Sequence, residues 1–393
     1  MWNYFITAYR NILYQLEELY LKTDRYFCFS IDRKCIFVVK YNRFFVTVIY
    51  INKVLIINDV SVWAGNGFGM TKTFTVGSMF AGIGGICLGF QQAGFEIVWA
   101  NEKDAAACKT YRHNFGDKYL IEDDIKKIDK TKIPKFDILT AGFPCQPFSV
   151  AGPHKGFDDA RGNLFFQIVE VAKIVKPTII FLENVSNLID HDNGRTFITM
   201  YNALSEIGYV LRYKNLPANE YGNLPQTRNR TYVVAFRDER MCNMFQYPEK
   251  VGLTTEIFDV IDKNTKQKDV YYYTDESDTF YKYMVNRVKR RDSIYRVHDS
   301  GIHLAKNHTC PTLTASMGIR ANRVPILIDN FGYRKLTVRE CLDFQGFPKD
   351  YSFPSGTTLE QAYKQIGNSV CVPVIRKIAE QIMKVLEKSY EIQ

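Results

Sequence analysis

From Phe74 onward the chain alternates short apolar runs with amphipathic runs of helical length, and this rhythm constrains the fold more than any other feature. The runs read FTVGSMF, GICLGFQQAG, FEIVWAN, DAAACKTYRHNF and FDILTAGF, then NLFFQIVEVAKIV, TIIFLEN, TFITMYNALSEIG and RTYVVAF. Strands that alternate with helices of this length join into βαβ units. A strand covered by helices on both faces is apolar throughout, which is how DILTA and TIIFL read. The pattern predicts an α/β fold with a largely parallel sheet. The rhythm breaks near Arg237. Residues 238–333 are polar, tyrosine-rich and basic, with YYY at 271–273 and NRVKRR at 286–291. Helical patterns return at TVRECLDFQGF and VPVIRKIAEQIMKVLEK. The expected organisation is a core built from 71–237 and 334–393, with a smaller inserted domain at 238–333.

Residues 1–70 stand apart. They contain no proline, two alanines and no glycine before Gly65. NILYQLEELYLK reads as a helix, and CIFVVKYNRFFVTVIYI as one or two strands. Two readings stay open: a small accessory segment, or an upstream stretch before a start at Met70. The run FFVTVIYIN is far shorter than the ~20 residues a bilayer span needs. No charged segment precedes an apolar core and a cleavage site, so neither a secretory leader nor a membrane partner is expected. The nine cysteines are scattered and odd in number, without a CxxC pair. That suits a reducing cytoplasm better than a disulfide framework. The formal net charge of +9 suits a polyanionic partner without establishing one.

The chemistry-bearing residues cluster at strand ends, where open α/β sheets bind ligands. AGFPCQPFSVAG, residues 141–152, places Cys145 between Pro144 and Pro147 after an apolar strand. Each proline fixes its own φ and biases the residue before it to an extended conformation. A buried packing cysteine, the common fate of this residue, needs no such clamp. FAGIGGICLGF follows a strand and opens a helix, and its Gly82, Gly84 and Gly85 permit tight turning and close approach of a ligand. GxGxxG is absent, which disfavours a pyrophosphate. Glu102, 17 residues after Gly85, ends the next strand and is placed to accept hydrogen bonds from ribose hydroxyls. Loop and acid together suggest an adenosine-containing ligand. Glu183 ends TIIFLE at the same sheet edge as Cys145. A desolvated carboxyl there can share a proton with a base ring. Arg228 and Arg230 in QTRNRTY would share one face of an extended strand, and planar guanidinium groups suit carbonyl and phosphate oxygens.

At these residues the chain resembles the bacterial cytosine-C5 DNA methyltransferases of restriction-modification systems. Ten blocks occur in the family's order: FAGIGG, NEKD, DDI, GFPCQPFS, RGNLFF, ENV, HDNGRTF, QTRNR, RECLDFQGFP and QIGNSV. The resemblance implies a Rossmann-like S-adenosylmethionine-dependent core with an inserted target-recognition domain at 238–333. It implies that Phe80, Gly82, Gly84, Gly85, Glu102, Asp124, Ile125 and Leu164 line the S-adenosylmethionine pocket, closed by Asn368 and Ser369. Cys145 would be the nucleophile and Glu183 its acid partner. Arg230, with Arg228 beside it, would contact the cytosine or its backbone. The partner is double-stranded DNA, and a cognate restriction endonuclease sharing the target is the other expected companion. The enzyme is expected to be a monomer in the cytoplasm, bacterial or phage-encoded.

In that reading a thiolate adds to C6 of cytosine and makes C5 nucleophilic, which is covalent catalysis. Glu183 would hydrogen-bond N3 and the exocyclic amine as charge develops. C5 then takes the methyl group, a base removes the C5 proton, and elimination frees Cys145. The target base must first be flipped from the stack, at a cost of a few kcal/mol. A tRNA cytosine methyltransferase is one rival, though the nearest stretch to its Cys-Phe-Thr element, CFS at 28–30, lies outside the recognition segment. A catalytically silent DNA-binding relative is the other, disfavoured by intact Cys145, Glu183 and Arg230. His298, His303, His308 and Cys310 match no common zinc spacing, so no metal is expected.

Overall fold

Strands β1 (Tyr26–Ile31), β2 (Lys34–Tyr41), β3 (Phe45–Tyr50) and β4 (Lys53–Ile57) form an antiparallel meander in chain order. The computed structural model describes these strands together with residues 72–143, 164–320 and 323–391. β2 and β3 fall in the run expected to hold one or two strands, and β1 and β4 flank it. The expected helix at NILYQLEELYLK lies outside the described residues. The chain divides into two compact units, 1–72 and 73–393.

The larger unit is built on a seven-stranded sheet. Its strands are β5 (Thr75–Met79), β6 (Glu96–Glu102), β7 (Leu120–Glu122), β8 (Ile138–Gly142), β9 (Ile179–Val185), β10 (Val210–Pro217) and β11 (Asn229–Phe236). The order across the sheet is β10-β11-β9-β8-β5-β6-β7. β7, β6, β5, β8 and β9 run parallel, while β11 is antiparallel to both its neighbours. Chain order reverses at β5, between β6 on one side and β8 on the other. Such a switch point opens a crevice at the carboxyl ends of the strands.

Helices α1 (Gly85–Gln92), α2 (Ala105–Phe115), α3 (Leu164–Val175) and α4 (Arg195–Glu206) belong to the crossovers. β9 shows how the layers form, since its side chains alternate between faces. Ile179 and Phe181 pack with Phe90 of α1 and with Ile375 and Ile378 of the C-terminal helix Val372–Glu391. Ile180 and Leu182 pack with Phe165, Ile168 and Val171 of α3 on the other face. The C-terminal helix approaches α1 so closely that a Cβ on Gly89 would stand 2.6 Å from Ile375 Cβ. The chain end thus returns to the core.

A second sheet, β13-β12-β14-β15, comprises β12 (Tyr295–His298), β13 (Gly301–Leu304), β14 (Ile326–Ile328) and β15 (Tyr333–Lys335). Tyr295, Val297, Ile302 and Ile326 bury its own small core with Met284 and Val288. The expected boundary at 238 falls too early. Met241, Cys242 and Phe245 pack in the main core, with Phe245 5.4 Å from the Phe236 ring. Among the described residues no helix is long and apolar enough to cross a membrane.

Candidate active site

The strand ends at the switch point enclose a cavity of about 430 Å³, within the usual size of small-molecule sites. Phe80 and Gly82 follow β5 into it, and both are left-handed, with φ of 54° and 55°. A Cβ on Gly82 would meet nothing within 4 Å among the described residues. Gly85 instead makes room for the chain end. A Cβ there would lie 2.5 Å from Ser369 Oγ and 2.9 Å from Val370 Cγ2. Gly84 does not line the cavity. Its φ is 83°, and an added Cβ would lie 2.2 Å from the Phe115 ring. Its part is to let α1 start against α2.

Glu102 ends β6 with its carboxylate fixed by three backbone donors. The Gly82 N–H donates to Oε2 at 2.9 Å, and the Lys103 and Asp104 N–H groups donate to Oε1 at 2.8 Å each. Asn101, which sequence reasoning did not single out, donates through Nδ2 to the carbonyls of Ile121 (3.1 Å) and Asp123 (2.8 Å). It thereby ties the loop of Asp124 and Ile125 to β6. The Lys126 backbone N–H and the Lys103 ammonium, 3.5 Å away, hold the Asp124 carboxyl below the usual carboxylate range. Leu164, Asn368 and Ser369 complete this end, with Lys364 and Gln365 as unforeseen neighbours. The lining fits an adenosine sulfonium: the Glu102 and Asp124 carboxylates to accept from ribose hydroxyls and an exocyclic amine, and Phe80, Ile125 and Leu164 as apolar walls.

At the other end, Glu183 and Arg230 meet. Glu183 Oε1 lies 3.2 Å from Arg230 Nε, yet it is buried and accepts no hydrogen bond among the described residues. Arg228 lines the same cavity but makes no ion pair with Glu183 among the described residues. The residue is 3% exposed; its two terminal nitrogens bond backbone carbonyls, while Nε has no hydrogen-bond partner among the described residues. Nη1 donates to Leu313 at 2.8 Å, both terminal nitrogens reach Gly367 at 3.4 Å, and Nη2 donates to Ser369. Burial pulls this guanidinium down to about 10. Arg228 therefore stands as a positioning residue, joining the PTLTA stretch to the turn that carries Asn368 and Ser369.

Cys145 lies outside the described residues, as do Pro144 and Pro147. The cysteines inside them are informative by contrast. Cys87, Cys108, Cys242, Cys310, Cys341 and Cys371 are all buried free thiols. Burial raises every one, Cys371 to about 11 and Cys108 to about 12. The thiolate is the nucleophilic form, so none of these six is poised for attack.

Fold and cavity together define an S-adenosylmethionine-dependent methyltransferase. The family described as C-5 cytosine-specific DNA methylase matches residues 74–384, and the chain belongs to it. It is 46% identical over 311 residues to the Type II methyltransferase M.Bsp6I of Bacillus sp. (strain RFL6), covering 79% of this chain and 98% of that one. It is 37% identical over 317 residues to M.HhaI of Haemophilus parahaemolyticus, covering 77% and 92%. Among solved structures it resembles a variant of Spodoptera frugiperda DNMT2, with TM-score 0.61, 20% identity, and 79% and 99% coverage. That last likeness concerns the fold. The protein is a cytosine-C5 DNA methyltransferase of the restriction-modification type, with S-adenosylmethionine as cofactor.

Proposed function

We propose that the enzyme methylates cytosine within a specific double-stranded sequence through a covalent bond between Cys145 and C6. The observation that supports this most is Glu183 Oε1: a buried carboxylate oxygen at the cavity wall with no hydrogen bond among the described residues. A buried acceptor that is ion-paired but accepts no hydrogen bond is incompletely satisfied, and the exocyclic amine and protonated N3 of a flipped cytosine would complete it. Arg230 holds the carboxylate and presents its guanidinium to the same space. Cys145 adds to C6, C5 becomes nucleophilic and takes the methyl group, and removal of the C5 proton by a base lets Cys145 leave by elimination. S-adenosylmethionine supplies the electrophilic methyl group when bound. Phe80, Gly82, Gly85, Glu102, Asp124, Ile125, Leu164, Asn368 and Ser369 would hold it.

The inserted region, with its sheet β12–β15 and the small core around Met284, Val288, Tyr295 and Ile302, is read as the part that selects the target. The reading includes a monomer acting in the cytoplasm, and a cognate endonuclease that shares the site without forming a required complex. Bisulfite sequencing of DNA from a host expressing the protein tests the reading. It predicts methylated cytosines confined to one short sequence, and loss of that pattern in Cys145→Ala. An unmodified genome would refute it.

A further inference from the structure

We infer that Asn184 is a positioning residue for the nucleophile, acting through the peptide of Phe143. β8 and β9 run in parallel register up to the pair Gly142 and Glu183. One residue further a side chain takes over. The Val185 N–H donates to Asn184 Oδ1 at 2.8 Å, and Asn184 Nδ2 donates to the Phe143 carbonyl at 2.8 Å. The amide thus bridges a backbone donor on β9 and a backbone acceptor at the end of β8. A direct backbone bond would draw the two ends together, whereas a bridging amide holds them apart by its own width. Pro144 has no N–H and cannot extend the ladder itself. Both strand ends face the cavity, which Gly142, Phe143, Glu183, Asn184 and Val185 all line.

The bridge is built to be rigid. Asn184 is 3% exposed and Phe143 6%, and the Phe143 ring packs 5.8 Å from Phe165 of α3. Buried side-chain amides with both ends satisfied hold one arrangement. Phe143 stands two residues before Cys145 in the sequence, so the bond from Asn184 fixes a peptide close to the nucleophile. Glu183 and Asn184 are consecutive, so one strand end fixes both the acid and that peptide. The inference rests on the reading of Cys145 as nucleophile.

Asn184→Asp tests it. The shape is retained and an oxygen still accepts from Val185, but the donor to Phe143 is lost. The substrate is plasmid DNA from a host without cytosine-C5 methylation. The readout is single-turnover methyl transfer per S-adenosylmethionine-binding site, counted by titration, so that unfolded protein drops out. A displaced nucleophile costs on the order of 10²-fold, and that loss is expected in the rate per site, with cofactor affinity retained. Asn184→Ala should lose at least as much. Iodoacetamide alkylation of Cys145, followed on its peptide, should change in rate for both variants. A wild-type rate per site in Asn184→Asp, or a loss explained wholly by fewer binding sites, overturns the inference. Failure of the underlying reading is separate: it shows as an active Cys145→Ser enzyme, whatever Asn184 does.

Discussion

Glu183 Oε1 and Arg230 Nε stand 3.2 Å apart at the ends of neighbouring antiparallel strands, with side chains 10% and 14% exposed. Register makes the pair: Tyr232 lies opposite Glu183, and Arg230 opposite Val185. The two meet diagonally across the strand ends. Glu183→Gln keeps the shape and removes the acid, so methyl transfer should fall by about 10²–10⁴-fold, the usual scale of acid–base assistance. Arg230→Ala should lower both rate and stability, because removing one partner of a buried pair costs about 3–5 kcal/mol. Single-turnover rates and urea unfolding check both. A stable, fully active Arg230→Ala would show that the pair is incidental.

The two cavity glycines should fail differently. Gly85→Ala drives a Cβ to within 2.5 Å of Ser369 Oγ, so the closing turn must move. S-adenosylmethionine affinity should weaken by roughly tenfold, equivalent to about 1.4 kcal/mol. Gly82→Ala meets no described residue but sits at φ 55°, a conformation that costs a residue with a Cβ about 1–2 kcal/mol. Its first effect should be on melting temperature. Calorimetric titration and thermal melts separate the two. Equal cofactor affinity in Gly85→Ala and wild type would contradict the assignment.

Alkali should destabilise the fold through its buried thiols. Burial raises Cys371 from 9.0 to about 11. The unfolded chain loses this proton first, so between pH 9 and 11 it binds fewer protons than the native state. Stability is then full below pH 9 and falls as pH rises toward 11, by about 1.4 kcal/mol per unit for one such group. Urea unfolding at stepped pH should show the slope. Cys371→Ala should be less stable at pH 7 from lost packing, yet have a shallower slope from 9 to 11. An unchanged slope would show that the thiol does not titrate as its burial implies.

A chain beginning at Met70 should retain methyl transfer. The family match starts at residue 74, and residues 73–393 form their own compact unit. Activity assays on the shortened protein decide the matter. Loss of folded, active enzyme would show that the first 69 residues support the larger unit.

Legibility in the sequence followed burial. β5, β8 and β9 are covered on both faces, so they read as apolar runs, and the residues that end them read as site candidates. β10 did not read as a strand: VLRYKNLP lies at the sheet edge, and outward Arg212 and Lys214 interrupt its apolar pattern, as edge strands require. Spacing placed Arg228 beside Arg230 on one strand face, but the strand begins at Asn229 and Arg228 turns to carbonyls contributed by distant segments. Gly84 carried the same local signal as Gly82, and only the packing of Phe115 tells them apart. Asn184 bonds a carbonyl 41 residues away in the chain, and such a bond leaves no local mark.

The central claim is that Cys145 forms a bond to C6 of the target cytosine. Once bisulfite mapping has given the target, a duplex with 5-fluorocytosine at that position tests the claim directly. Attack at C6 and methylation at C5 can both proceed, but fluorine cannot leave C5 as a cation, so elimination stalls. With S-adenosylmethionine present, the account predicts a complex that survives denaturing electrophoresis and maps to the peptide GFPCQPF. Cys145→Ala should form none while still binding the cofactor. An adduct on any of the buried cysteines, or normal turnover by Cys145→Ala, would contradict it.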